Sequence, residues 1–147
     1  MNKGSNQRMD KTLKLGTGAL TLKEVDLILN TIPLELSYVD KDNLVKYYNN
    51  IEGEKLFIRT PSSIGRDMLA SHPPKSKAMV EHLLNSLKEG IKDKQDAWYQ
   101  KPDGTIVHIT FVAVRDKETN DFLGVLEYVQ DITAFTKLEG DNRDVNA

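Results

Sequence analysis

The chain has 147 residues, enough for one domain with one core, since a chain of about this size buries roughly 70% of its unfolded surface. Hydrophobic residues make up 39% of it and charged residues 29%, and no apolar run approaches the roughly 20 residues of a membrane-spanning helix, so no membrane partner is expected. The absence of cysteine excludes thiol nucleophiles, iron–sulfur clusters, Cys-ligated zinc and c-type haem attachment, and a net charge of −2 with interspersed basic residues speaks against nucleic acid.

Residues 1–18 hold only Met1, Met9, Leu13 and Leu15 as large apolar side chains and end in Gly16-Thr17-Gly18, the composition of a disordered tail. The tail lacks the apolar segment of a secretory signal, so a cytoplasmic protein is expected. One domain is predicted over residues 19–139, followed by a polar tail over 140–147. At its start Thr21 and Glu24 have the spacing of a capping box, and Leu20 and Val25 that of a hydrophobic staple. Leu22, Val25, Ile28, Leu29 and Ile32 recur at helical spacing up to Pro33, predicting an N-terminal amphipathic helix.

Two strand-forming runs, LELSYV and LVKYYN, flank Asp40-Lys41-Asp42-Asn43 and predict a hairpin. From Ile51 to Leu69, Gly53, Pro61 and Gly65 break the chain into short pieces, where helical turns are expected. The stretch ASHPPKS then opens a long helix: Pro73 and Pro74 stiffen its entry, and Val80, Leu83, Leu84, Leu87 and Ile91 mark one face, with Gly90 as its stop. Three strands follow, around Trp98 and Tyr99, over 105–114 and over 122–132, joined into an antiparallel meander by KPDG and RDKETND. The second is apolar on both alternating sets, Val107, Ile109, Phe111 and Ala113 against Ile106, Thr110, Val112 and Val114. Its second face therefore needs a cover, which the N-terminal helix or a second copy of the chain would supply, and a homodimer through the N-terminal helix and the outer sheet face is expected. The last residues, TAFTKLEG, read as an exit helix entering the polar tail.

No phosphate-cradling glycine loop, nucleophile elbow or spaced carboxylate pair marks an enzyme, and none is expected. The order helix, two strands, short turns, long helix, three strands and exit helix resembles the Per-Arnt-Sim (PAS) domain. The residues carrying the resemblance are YVDKDNLVKYYN, SSIGRDM, KPDGTIVHITFVAVRD and GVLEYVQDIT. More narrowly, RTPSSIGRDMLASHPPKS and VQDITAFTKLEG resemble the PAS module of bacterial proteins that also carry a hemerythrin-like domain. The resemblance covers residues 20–139 and implies an α+β fold, a five-stranded antiparallel sheet with helices on one face. The chain departs from those proteins in having neither hemerythrin-like ligands nor an output domain, and reads either as stand-alone or as a module of something longer.

His72 is the sharpest candidate site residue, because the two prolines after it hold it rigidly. Two readings stand. The ring closes the turn before the long helix, which the sequence favours, or it is the axial ligand of haem b, as the resemblance to haem-binding PAS domains implies, with Met68 or Met79 as a second ligand. His82 is expected on the solvent face of the long helix and His108 on the outer or interfacial face of the sheet. A small ligand between sheet and helix would be lined by aromatic residues, with Trp98 and Phe111 the candidates, although only one of each pair Trp98/Tyr99 and Tyr47/Tyr48 can point inward. Flavin–cysteine photochemistry is excluded by the lack of cysteine. The resemblance further implies that Asp131 and Thr133 of QDIT close the domain and pass its state to the exit helix. The expectation is a sensor or interaction module, with a haem-based sensor and a ligand-free structural domain as alternatives.

Overall fold

The computed structural model describes residues 8–146. Residues 1–7 of the expected tail lie outside the described residues, but the rest of that segment departs from expectation. Strands β1 (Thr12–Lys14) and β2 (Ala19–Thr21) pair antiparallel, with Leu13 opposite Leu20 and Gly18 in the left-handed region at φ 76° between them. Composition hid this hairpin, because one cross-strand apolar pair and a few backbone hydrogen bonds hold it together.

Helix α1 (Leu22–Thr31) begins as the sequence directs. Glu24 N donates to Thr21 Oγ1 at 3.0 Å and Thr21 N to Glu24 Oε1 at 2.9 Å, a complete capping box. None of its residues is fully buried. Strands β3 (Glu35–Asp40) and β4 (Val45–Tyr48) form the expected hairpin. Its turn is held by Asp40 Oδ1, which accepts from the amides of Asp42 and Leu44, while Asn43 takes the left-handed φ of 65° that asparagine tolerates. Two 3-10 turns follow, Pro61–Ser63 and Met68–Ser71.

Helix α2 (Pro74–Lys88) has proline at its first position, where a missing N–H costs nothing. Val80, Leu84 and Leu87 are buried against the sheet with Leu69 and Val125, and Phe111 and Ala113 pack on this cluster. Arg115 reaches over from the sheet and caps the far end of α2, donating to the carbonyls of Leu87 and Lys88 at 2.8 and 3.1 Å. Ile91, expected on the apolar face, lies beyond the helix and is exposed, because Gly90 at φ 77° turns the chain away first.

Strands β5 (Lys94–Gln100), β6 (Ile106–Arg115) and β7 (Phe122–Asp131) complete a five-stranded antiparallel sheet in the order β4-β3-β7-β6-β5. The fold is α+β, as the resemblance implies. Register decides what each face carries: Phe111 lies opposite Glu127, which lies opposite Ser37, and this set faces α2. Leu36, Tyr38, Trp98, His108 and Thr110 alternate to the outer face, where Thr110 is completely buried.

The exit is shorter than expected. Thr133–Lys137 is a single 3-10 segment, and residues 138–146 carry no helix. Among the described residues no helix is long and apolar enough to cross a membrane.

Candidate functional site

Between the inner face of the sheet, the 57–63 segment, the turn before α2 and α2 itself at Leu84 lies a cavity of about 500 Å³. Its apolar wall is formed by Val39, Val45, Phe111 and Val125 from the sheet, Leu84 from α2 and Met68 from the turn before it. Its polar wall carries Ser37, Arg59, Ser71, His72 and Glu127. The volume falls within the roughly 300–1,000 Å³ of small-molecule sites, and an apolar body with a few convergent polar groups is their usual make-up.

The polar wall is organised around Arg59. Its Nη2 sits 2.5 Å from Glu127 Oε1, and its Nη1 lies 3.6 Å from Glu35 Oε1. Glu35 is buried in β3, and its carboxylate accepts the amides of Leu56 at 2.7 Å and Phe57 at 2.9 Å, fixing the segment that delivers Arg59. Glu127 projects from the middle of β7, and burial pushes its carboxyl above the ordinary carboxylate range, although Arg59 and, more weakly, His72 pull it down. Sequence reasoning missed Arg59, Glu35 and Glu127. The available signal was a glutamate at an inward position of each of two strands, Glu35 beside LSYV and Glu127 within FLGVLEYVQD.

His72 closes the turn before α2 and faces the cavity. Its Nδ1 lies 3.0 Å from the carbonyl oxygen of Met68, and its ring also lines the cavity. A carbonyl only accepts, so Nδ1 is the protonated nitrogen, and in the neutral ring Nε2 keeps the lone pair. Met68 lines the cavity beside it. Met79 does not: it is 70% exposed on the solvent side of α2, because it precedes the buried Val80 by one residue and so points away from the sheet. Trp98 is likewise on the wrong side for the cavity. It is 69% exposed on the outer face, stacked on His108 with ring centroids 6.4 Å apart and planes within 10°. Strand alternation sends Tyr99 and Tyr48 to the inner side instead, opposite Val107 and Ser37. Of the expected lining aromatics, Phe111 is in place. His82 is exposed, and His108 stands on the outer face 3.6 Å from Asp96 Oδ1, which also accepts from Thr110 Oγ1 at 2.9 Å. Among the described residues no group of three metal-ligating side chains converges.

Asp131 and Thr133 meet where β7 ends. Asp131 Oδ1 accepts from Thr133 Oγ1 at 2.5 Å and from Thr133 N at 2.9 Å, and these bonds hold its carboxyl below the ordinary range. Thr133 Oγ1 in turn accepts from Ile106 N at 2.9 Å, tying the exit segment to the first residue of β6. A wider groove of about 990 Å³ runs past this junction, between the C-terminal end of α1 and the 50–56 segment, and Glu35 lies on its wall.

The PAS domain profile matches residues 25–133, most of the chain. The chain belongs to the PAS domain family. PAS domains are sensor and signalling modules. Among solved structures, a C-terminal domain from Streptococcus mutans is 41% identical, with a TM-score of 0.84 over 89% of this chain and 99% of that one. A PAS domain from Colwellia psychrerythraea is 18% identical, with a TM-score of 0.55 over 77% of this chain and 98% of that one, and so shares the fold. So does VqmA from Vibrio cholerae, solved with ligand and DNA, which is 22% identical with a TM-score of 0.53 over 77% of this chain and 52% of that one. Comparison with curated proteins yields no match.

Proposed function

We propose that this PAS domain is a cytoplasmic, non-catalytic sensor module that takes a small ligand between the sheet and α2 and reports occupancy through its exit segment. The observation that carries this reading is the cavity of about 500 Å³ with an apolar body and the Arg59–Glu127 pair on one wall. Occupancy has a short route outward. Glu127 and Asp131 lie on one strand four residues apart, and Asp131 holds Thr133 at the exit. A ligand engaging Glu127 would bias the packing of β7 and with it the Asp131–Thr133 junction. The similar domain of Streptococcus mutans is a C-terminal one, which fits a module that reports to other parts of a longer protein.

The test is a fragment screen followed by protein-observed NMR on the wild type and on Val45→Phe, which narrows the cavity. Binding should shift Val39, Phe111 and Val125 together with Thr133, and the variant should abolish these shifts. Ligand shifts confined to the outer face, or an exit that never responds, would remove the reading.

Haem is the second reading, favoured by His72: its Nδ1 is anchored on the carbonyl of Met68, which orients a ring for metal binding through Nε2, and the Met68 side chain lines the same cavity. Addition of hemin to wild type and His72→Ala tests it, a Soret band lost in the variant supporting haem and no band in either excluding it. On the outer face, the exposed Trp98 and the apolar residues of α1 support a homodimer.

A further inference from the structure

We infer that the cavity selects a ligand with an apolar body and a cationic N–H donor, an amine or protonated nitrogen heterocycle, which docks on Glu127 Oε2. The inference rests on the cavity being the ligand site and goes on to name the ligand's chemistry.

The argument is one of charge and hydrogen-bond supply. Two carboxylates, Glu127 on the cavity wall and Glu35 behind it, share one guanidinium, Arg59, so with both ionised this three-residue cluster carries a net negative charge. Glu35 is satisfied: both its oxygens accept backbone amides, and Arg59 lies beside it. Glu127 is not. Its Oε1 takes Arg59, but among the described residues Oε2 has no hydrogen-bond partner, while the side chain is 15% exposed and lines the cavity. The charged and titratable groups facing it are Arg59, His72 and Glu35: burial is the largest influence and raises its carboxyl, Arg59 and His72 pull it down, and Glu35 adds to the rise. Oε2 has no protein donor and is open to the cavity, and a partly buried carboxylate gains more from a charged donor than from a neutral one. A carboxylate or phosphate ligand would meet the opposite situation. Arg59 is already committed to two carboxylates, and a third would enter beside an unpaired one. Ser37 and Ser71, hydroxyls on the same wall, can accept the remaining N–H groups of an ammonium or amidinium.

The test uses three probes of one shape and different charge, 2-phenylethylamine, 2-phenylethanol and phenylacetate, titrated into the full chain at pH 8 and followed by NMR at Val39, Phe111 and Val125. The amine should bind at least about tenfold more tightly than phenylacetate. Glu127→Gln should remove that preference and leave 2-phenylethanol within about twofold. Glu127→Asp, which keeps the charge, should retain part of the preference and serves if Glu127→Gln does not fold. Equal or tighter binding of phenylacetate at the cavity residues overturns the inference and leaves the cavity as a ligand site. An amine preference untouched by both variants overturns the role of Glu127. If no probe shifts the cavity residues up to about 10 mM, the ligand-site reading falls and this inference with it.

Discussion

Arg59 reaches Glu127 across 68 residues of sequence, its Nη2 within 2.5 Å of Oε1, and joins the irregular 51–60 segment to the middle of the sheet. The carboxyl it holds is nevertheless raised above the ordinary range, because burial outweighs the guanidinium. A carboxyl raised in the folded state contributes stability that is fully present below its unfolded pKa, about 4.3 for glutamate, and is lost as pH rises through the raised value. Asp103, Asp116 and Asp131 act in the opposite sense. Backbone and hydroxyl hydrogen bonds lower them, so their contribution is present above the ordinary range and lost as pH falls through their lowered values. Those three are common to wild type and Glu127→Gln and cancel in the difference. The unfolding free energy of wild type relative to Glu127→Gln should therefore decline as pH rises from about 4 towards neutrality, by denaturant titration at fixed temperature. A difference that is flat or rises would show that Arg59 governs Glu127 after all.

Asn49 carries the junction between α1 and the sheet. Its Oδ1 accepts from Leu36 N at 2.7 Å, and its Nδ2 donates to the carbonyls of Leu29 and Leu34 at 2.7 and 2.8 Å, all with the residue itself buried. Asn49→Ala would leave three backbone groups without partners, and we expect a loss of about 2–4 kcal/mol in urea titrations. Asn49→Asp should be no better, since it keeps the acceptor, loses both donors and buries a charge. A loss under about 0.5 kcal/mol for the alanine variant would mean that water replaces the side chain at no cost.

Thr133 links two elements through one hydroxyl, accepting from Ile106 N and donating to Asp131. Thr133→Val keeps the shape and removes both bonds. The Ile106 amide should then exchange with solvent at least about tenfold faster, a change near 1.4 kcal/mol in local opening, while amides in β3 stay as they were. Unchanged exchange at Ile106 would show that the exit segment is held by other contacts and is a poor relay.

The elements were legible because each has a local cause. The capping box at Thr21 and Glu24, the two prolines before α2 and the Asp40–Asn43 turn act within a few residues, and the structure keeps all three. The cavity lining was legible for Phe111, from its inward alternation on an apolar strand, and where residues are neighbours in sequence. His72 and Met68 share one turn, so their proximity could be read from spacing. Arg59, Glu35 and Glu127 come together through the strand order β4-β3-β7 and the path of the 51–60 segment, which no sequence window contains. Trp98 was misplaced for a related reason: alternation says that Trp98 and Tyr99 oppose each other, and only the register against Val107 and His108 says which is inside.

Trp98 leads to the prediction for the outer face. A tryptophan 69% exposed and stacked flat on His108 presents a broad apolar surface, ordered by Asp96 and Thr110 beneath it. Large aromatic residues of this kind carry a disproportionate share of binding energy where an interface covers them. If two copies associate through this face, Trp98→Ala should weaken self-association by at least about tenfold in sedimentation equilibrium, the loss of one hot-spot side chain. Thermal stability at concentrations where both proteins are monomeric should stay within about 0.5 kcal/mol, because the ring buries little in the monomer. Trp98 is remote from the cavity, so binding of the phenyl probes should be unaffected. Self-association that survives the substitution would place the dimer contact elsewhere, with the exposed Leu27 and Ile28 of α1 the next surface to alter.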